Sequence, residues 1–295
     1  MEKIIVGKSI PNKVHLENRI ESGISNIELQ LFGDEIDVKN ILKTIYDVKG
    51  LNITSVHAPF STNKLEVNVE NLASNHHTEL IYYTVFIANE IGRKKNQIIP
   101  VVIHTNIKIE DVFLYQESWA TILNRLNQLL KYNKYISFAI ENVIPLSNSV
   151  YPKTYNNFMF DNVKLAKYLR EELCSDRIFT TFDVCHAVST IRFLEKFKAA
   201  GATIEIPKLE YYFIQNKDLC RIFHLSDVKG LGLAKEDHGI VFSPQREKYL
   251  LEMLSLYEKY LTHADLVIEI QENDYESFDN LKHTFNYLKH YYDNK

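Results

Sequence analysis

The stretch Val101-Val102-Ile103-His104-Thr105-Asn106 decides how this chain folds. It opens as a buried strand, with three β-branched apolar residues in succession, and it ends on an imidazole. Side chains alternate along a strand, so Val102 and His104 share one face. The same arrangement recurs further on. Ala139 and Glu141 share a face in Ser137-Phe138-Ala139-Ile140-Glu141, and Val267, Glu269 and Gln271 share one in Leu266-Val267-Ile268-Glu269-Ile270-Gln271. In each stretch a small or apolar residue fills a lower layer, and a histidine or carboxylate caps it.

Runs of this β-rich kind fall at 4–10, 26–32, 53–59, 101–106, 137–143, 178–186, 222–228 and 266–271. Helical periodicity fills the gaps between them. Val38, Ile41, Leu42 and Ile45 form one apolar stripe, and Phe278, Leu281, Phe285 and Leu288 form another. Pro244 suits the first turn of a helix running to about Leu261. Eight strands alternating with helices predict the α/β class and a single (β/α)₈ TIM barrel spanning residues 1–295. Length alone, at roughly 150 residues per domain, would suggest two domains, but barrels of about 250 residues fold as one. No Gly-x-Gly-x-x-Gly or Gly-x-x-x-x-Gly-Lys stretch follows any strand, which argues against a nucleotide-binding open sheet.

Composition narrows the function classes. Hydrophobic residues make up 45% of the chain and charged residues 24%, values of an ordinary folded domain rather than a disordered one. No apolar run approaches the ~20 residues of a membrane span, so no membrane partner is expected. Cys174, Cys185 and Cys220 are scattered and form no metal clip or disulfide framework; with no signal-peptide layout at the start, a cytoplasmic location is expected. A net charge of −4 gives no general affinity for nucleic acid.

In a barrel of this kind the chemistry sits at the C-terminal ends of the strands. Those ends carry Glu28 and Gln30 on the second strand, His57 on the third, His104 on the fourth and Glu141 on the fifth. The sixth carries Asp183 and His186, the seventh His224 and Asp227, and the eighth Glu269. A lone histidine on an apolar face is ordinarily a satisfied core residue. Six successive strands ending in imidazole or carboxylate are not explained that way. Converging buried carboxylates repel one another unless cations lie between them. Imidazole with carboxylate and no thiolate suits Zn²⁺ or Mn²⁺, with Fe²⁺ and Co²⁺ as relatives, better than Ca²⁺. A further pair follows the seventh strand in Lys235-Glu236-Asp237-His238-Gly239, where Glu236 and His238 alternate and Asp237 is the rival carboxylate. The other histidines, His15, His76, His77, His263, His283 and His290, read as surface residues. Cys185 reads as packing rather than as a nucleophile.

This set of strand ends resembles the xylose-isomerase-like barrel superfamily, which holds sugar isomerases and epimerases and the apurinic endonuclease IV family. Asp183-Val184-Cys185-His186-Ala187 and His224-Leu225-Ser226-Asp227-Val228-Lys229-Gly230 are especially similar to the endonuclease type. That resemblance implies up to three divalent ions. His57, His104 and Glu141 would hold one. Glu141 would bridge to a second on Asp183, His224 and Glu269, and His186, His238 and an acidic partner, Glu236 or Asp237, would hold the third. The isomerase pattern implies a single ion on Glu141, Asp183, His224 and Glu269.

Three loops depart from the endonuclease pattern: His104-Thr105-Asn106 stands where it has His-Pro-Gly, Asn142-Val143-Ile144-Pro145 where it has a Gly-rich stretch, and Gly239-Ile240-Val241-Phe242 where it has Gly-x-Gly. The epimerase pattern has an Arg after the seventh-strand histidine; here Lys229 is the nearby cation. The leading expectation is therefore a metal-dependent isomerase or epimerase acting on a small sugar or sugar phosphate. In that expectation Glu141 and Glu269 exchange the proton, His186 is a further catalytic residue, and Lys229, Asp227 and Glu28 bind substrate. The alternative is an endonuclease IV-like phosphoester hydrolase acting on DNA. A homo-oligomer is compatible with either.

Overall fold

The architecture follows from strands that are apolar on both faces and so must be covered on both. The structure, a computed structural model, describes residues 4–33, 36–60, 67–73, 77–105, 116–143, 161–230, 238–272 and 274–295. Eight parallel strands close into a barrel: β1 (Ile5–Ser9), β2 (Asn26–Phe32), β3 (Asn52–Phe60), β4 (Ile99–His104), β5 (Ile136–Glu141), β6 (Ile178–Asp183), β7 (Cys220–Leu225) and β10 (Asp265–Ile268), with β10 pairing β1. Between β7 and β10 a two-stranded antiparallel pair, β8 (Asp227–Val228) and β9 (His238–Ile240), sits outside the barrel order. The helices are α1 (Lys13–Glu21), α2 (Val38–Asp47), α3 (Thr78–Lys95), α4 (Gln116–Tyr132), α5 (Asp161–Glu172), α6 (Val184–Ala199), α7 (Leu209–Asn216), α8 (Glu247–Tyr260) and α9 (Asp279–Asp293).

Two apolar regions form. The larger lies between sheet and helices and is built from residues such as Leu29, Ile103, Phe138, Ile140, Phe182, Phe223 and Tyr257. The smaller is a plug inside the barrel made of Val6, Val102, Ala139, Ile222 and Val267. Residues two positions further along these strands are Lys8, His104, Glu141, His224 and Glu269. The alternation read from the sequence thus puts a polar layer directly above an apolar one. Each fully buried Val or Ile of the plug contributes roughly 1.5–3 kcal/mol, so the plug is a firm floor for that layer.

Helix ends are set by local chemistry. Asn12 caps α1 by accepting from the His15 N–H (3.2 Å), and Asp37 caps α2 through the Asn40 N–H (3.0 Å). Pro244 begins a 3₁₀ turn, Pro244–Arg246, that leads into α8, close to the expected start. Three expected strands run too far, the sixth, the seventh and the eighth, the last of which stops at Ile268, one residue before Glu269. The sixth stops at Asp183, because that side chain caps α6 by accepting from the His186 N–H (3.1 Å), while the Asp183 N–H donates to Asn142 Oδ1 (2.8 Å). His186 is therefore in the first turn of α6. The seventh stops at Leu225, and Asp227 and Val228 leave the barrel to pair with β9.

Candidate metal centre

Register builds the centre from neighbouring strands. His104 lies beside Glu141, Asp183 beside His224, Gln30 beside His57, and Lys8 beside Glu28. All point into one mouth above the apolar plug, and all but Lys8 and Glu269 are buried. His57 Nε2 lies 3.1 Å and His104 Nε2 3.3 Å from Glu141 Oε2. The other oxygen, Glu141 Oε1, lies 3.3 Å from His224 Nδ1, and Glu269 Oε2 lies 2.5 Å from the same nitrogen.

Ligand-type atoms thus form two groups, each within 4.8 Å throughout: His57, His104 and Glu141, and Glu141, Asp183, His224 and Glu269. Glu141 belongs to both.

The ring tautomers show that the donor set fits a cation. His57 Nδ1 is 2.8 Å from the Ala58 carbonyl and donates to it, which leaves a lone pair on Nε2 facing Glu141. His224 Nε2 donates to Glu28 Oε2 (3.3 Å), which turns Nδ1 toward Glu141 and Glu269, where a cation would take the place of its proton. Among these facing atoms Glu141 Oε1, Glu269 Oε2 and His224 Nδ1 make no hydrogen bond. Two buried carboxylates aimed at one imidazole nitrogen repel each other, and a divalent cation is a group that would satisfy both. The N and O donors are of the kind that divalent metal ions take.

The electrostatics agree. Burial alone would raise the Glu28 carboxyl, but His224 and Lys8 hold it down at about 2. Burial likewise opposes ionisation of Glu141 and Glu269, and it is overcome by His224 and His104 for the first and by Lys8 and His224 for the second, so both stay well below the usual carboxylate range. Burial pulls His224 down, yet Glu28, Glu269 and Glu141 together hold it well above an ordinary histidine. Burial holds His57 and His186 low, that is, in the neutral form a ligand requires.

His186 reaches the centre from α6. Its Nδ1 donates to the Asn142 carbonyl (2.6 Å), and its Nε2 lies 3.6 Å from Asp183 Oδ2. The Gln271 N–H donates to the Gly239 carbonyl (2.6 Å), which runs the backbone of β9, and so of His238, beside Glu269. Glu236 and Asp237 lie outside the described residues, as does His76.

Of the three residues expected to bind substrate, two are engaged within the chain. Glu28 has no exposure and is engaged by His224, by the Ser55 hydroxyl (2.8 Å) and by Lys8 (3.6 Å), so it supports the ligand layer from beneath. Asp227 is buried and takes a two-pronged ion pair from Arg246 (2.7 and 2.9 Å). Lys229 is exposed beside it. Of the histidines expected at the surface, His263, His283 and His290 are exposed, whereas His15 is buried on the inner side of α1. Cys185 is fully buried, and burial together with Asp183 pushes its thiol well up, consistent with packing.

Two residues of the centre are not marked by the sequence pattern. Lys8 follows Val6 by the same two-residue step that marks His104 and Glu141, but its charge sets it apart from a search for imidazoles and carboxylates. Asn142 ties the end of β5 to the junction of β6 and α6: its amide donates to the Asp183 carbonyl (2.9 Å) while its side-chain oxygen accepts from the Asp183 N–H.

No protein-family profile matches the chain, and no curated protein matches it by sequence. Solved structures do match in fold. An AP endonuclease, family 2, from Brucella melitensis superposes with a TM-score of 0.58 at 12% identity, covering 97% of this chain and 99% of the other. A D-allulose 3-epimerase from Methylomonas sp. gives 0.56 at 10% identity, covering 98% and 97%. The IOLI protein, solved with a bound zinc atom, gives 0.55 at 15% identity, covering 97% and 95%. The chain shares with them an eight-stranded α/β barrel fold over almost its whole length. Among the described residues no helix is long and apolar enough to cross a membrane.

Proposed function

We propose that this chain is a divalent-metal-dependent phosphoester hydrolase whose centre holds at least two ions. The observation that carries this reading is the sharing of Glu141. One of its oxygens faces His57 and His104, and the other faces His224. A single-ion isomerase has no need of the first pair. In this reading His57, His104 and Glu141 hold one cation, and Glu141, Asp183, His224 and Glu269 hold a second.

Bound cations of this kind supply Lewis-acid polarisation of a phosphoryl oxygen and a lowered pKa for water. The chain's own residues do the positioning. Glu141 fixes the spacing of the two ligand groups. Glu28 and the Ala58 carbonyl select the tautomers of His224 and His57. Asn142 aims His186 Nε2 at the centre, where it can accept a proton from the attacking water.

A second reading, the isomerase or epimerase, is favoured by one observation. Glu141 and Glu269 flank the same His224 nitrogen, so two carboxylates border one cation position and could pass a substrate proton between them. Metal content and substrate decide. Two or three ions per chain with cleavage of an abasic-site duplex or a simple phosphodiester support the hydrolase. One ion per chain, with deuterium entering ketoses or ketose phosphates beside the carbonyl in D₂O, overturns it in favour of the isomerase.

A further inference from the structure

Lys8 stands at the C-terminal end of β1, on the inward face above Val6, with its side chain 14% exposed. Its ammonium bonds Glu269 Oε1 and lies 3.6 Å from Glu28 Oε1. The bonded oxygen of Glu269 is not the one that faces His224, which is Oε2. Lys8 therefore holds Glu269 from behind and leaves its inner oxygen for a cation. The arrangement closes on itself: Lys8 to Glu269, Glu269 to His224 Nδ1, His224 Nε2 to Glu28, and Glu28 back to Lys8. The backbone of Lys8 is held as well, since buried Arg19 donates through Nε to the Lys8 carbonyl (3.2 Å). An amine paired with two carboxylates stays an ammonium and has no lone pair for nucleophilic work, so its contribution is charge.

That charge decides what the loaded centre attracts. Among the described residues of the mouth, Glu28, Glu141, Asp183 and Glu269 are carboxylates and Lys8 is the only lysine or arginine paired to them. With neutral histidines, these groups sum to three net negative charges. Two divalent cations turn that into one positive charge; without Lys8 the same centre would be neutral.

Building on the two-ion reading above, we infer that Lys8 is the specificity-determining cation of this centre. It makes the loaded site net positive and so selects substrates that present an anionic oxygen group of the phosphate-ester class. It acts through Glu269 and through the field of the site, as a positioning residue.

The test uses the full chain as wild type, K8M and K8R, each loaded with zinc, with metal content measured and inorganic phosphate as the probe in calorimetric titration. K8M is expected to keep the wild-type metal content and to bind phosphate about tenfold more weakly. K8R, which keeps the charge, is expected to stay within about twofold of wild type. Phosphate affinity unchanged in K8M overturns the proposal, as does a loss in K8R equal to that in K8M. Should K8M not fold, K8Q removes the same charge while keeping a polar end, and the same loss is expected of it; unchanged affinity in K8Q overturns the proposal equally. The two readings fail separately: one ion per chain in the wild type counts against the hydrolase, whereas two or more ions with K8M unaffected count against Lys8 alone.

Discussion

Glu28 and His224 meet beneath the ligand layer, the imidazole Nε2 3.1 Å from a carboxylate oxygen that has no exposure to solvent. The contact fixes the ring so that Nδ1 faces Glu141 and Glu269. Supporting partners of this kind orient a ligand and raise its basicity, and their loss typically costs roughly 10–100-fold in metal affinity. Glu28→Gln keeps the shape and removes the charge. It is expected to weaken zinc binding by about tenfold, as read by competition with a chromophoric chelator. Unchanged affinity would show that His224 is held by packing alone.

The pH dependence of the metal-free protein follows from three carboxyls held low and one histidine held high. Glu28, Glu141 and Glu269 contribute stability that is present above the ordinary carboxyl range and is lost as pH falls, for Glu28 between about 4.5 and about 2. His224 contributes stability that is fully present below pH 6.5 and is lost as pH rises through its elevated folded value. His57 and His186, held low by burial, act the other way, their contribution being lost as pH falls below 6.5, so the metal-free chain is expected to be most stable near pH 6.5. Zinc needs His224 deprotonated, so saturating metal should move that optimum upward. Melting temperature against pH, with and without zinc, checks this; coincident optima would contradict it.

Ala139 is the smallest member of the plug inside the barrel and lies two residues below Glu141. Ala139→Leu adds three carbons among Val6, Val102, Ile222 and Val267. It is expected to cost about 1–3 kcal/mol in urea unfolding and, by displacing Glu141, to lower the metal content of the purified protein. A destabilised protein with full metal content would show that the ligand layer does not depend on its floor.

Arg246 and Asp227 give a prediction about what lies outside the centre. Arg192 also grips this segment by donating to the Val228 and Gly230 carbonyls, both at 2.9 Å. Arg246 is partly exposed, so Arg246→Ala is expected to cost only about 1 kcal/mol and to leave metal content unchanged. If phosphate affinity of the loaded protein fell instead while stability held, Asp227 would be a substrate residue, as its position after His224 first suggests.

Much of this was legible in the chain itself. The two-residue step from Val102 to His104, Ala139 to Glu141 and Val267 to Glu269 is a local property of any strand, so periodicity alone marked which side chains share the inward face. The repetition of that step along the chain called for a closed barrel, because only closure brings strand ends far apart in sequence to one mouth. Local periodicity does not report where a strand stops when the stopping group is itself a ligand-type residue. Asp183 looked like mid-strand and is a helix cap.

What only the tertiary structure decided is pairing across distance. Lys8 and Glu269 are separated by 261 residues, and Glu28 and His224 by 196. No spacing rule links such residues, since their meeting depends on β10 closing against β1 and on the register between strands. The sequence determined which side chains face inward. The closed barrel decided which oxygen of each carboxylate is left for a cation and which is taken by a neighbour, because that choice rests on side-chain geometry that forms only when the last strand meets the first.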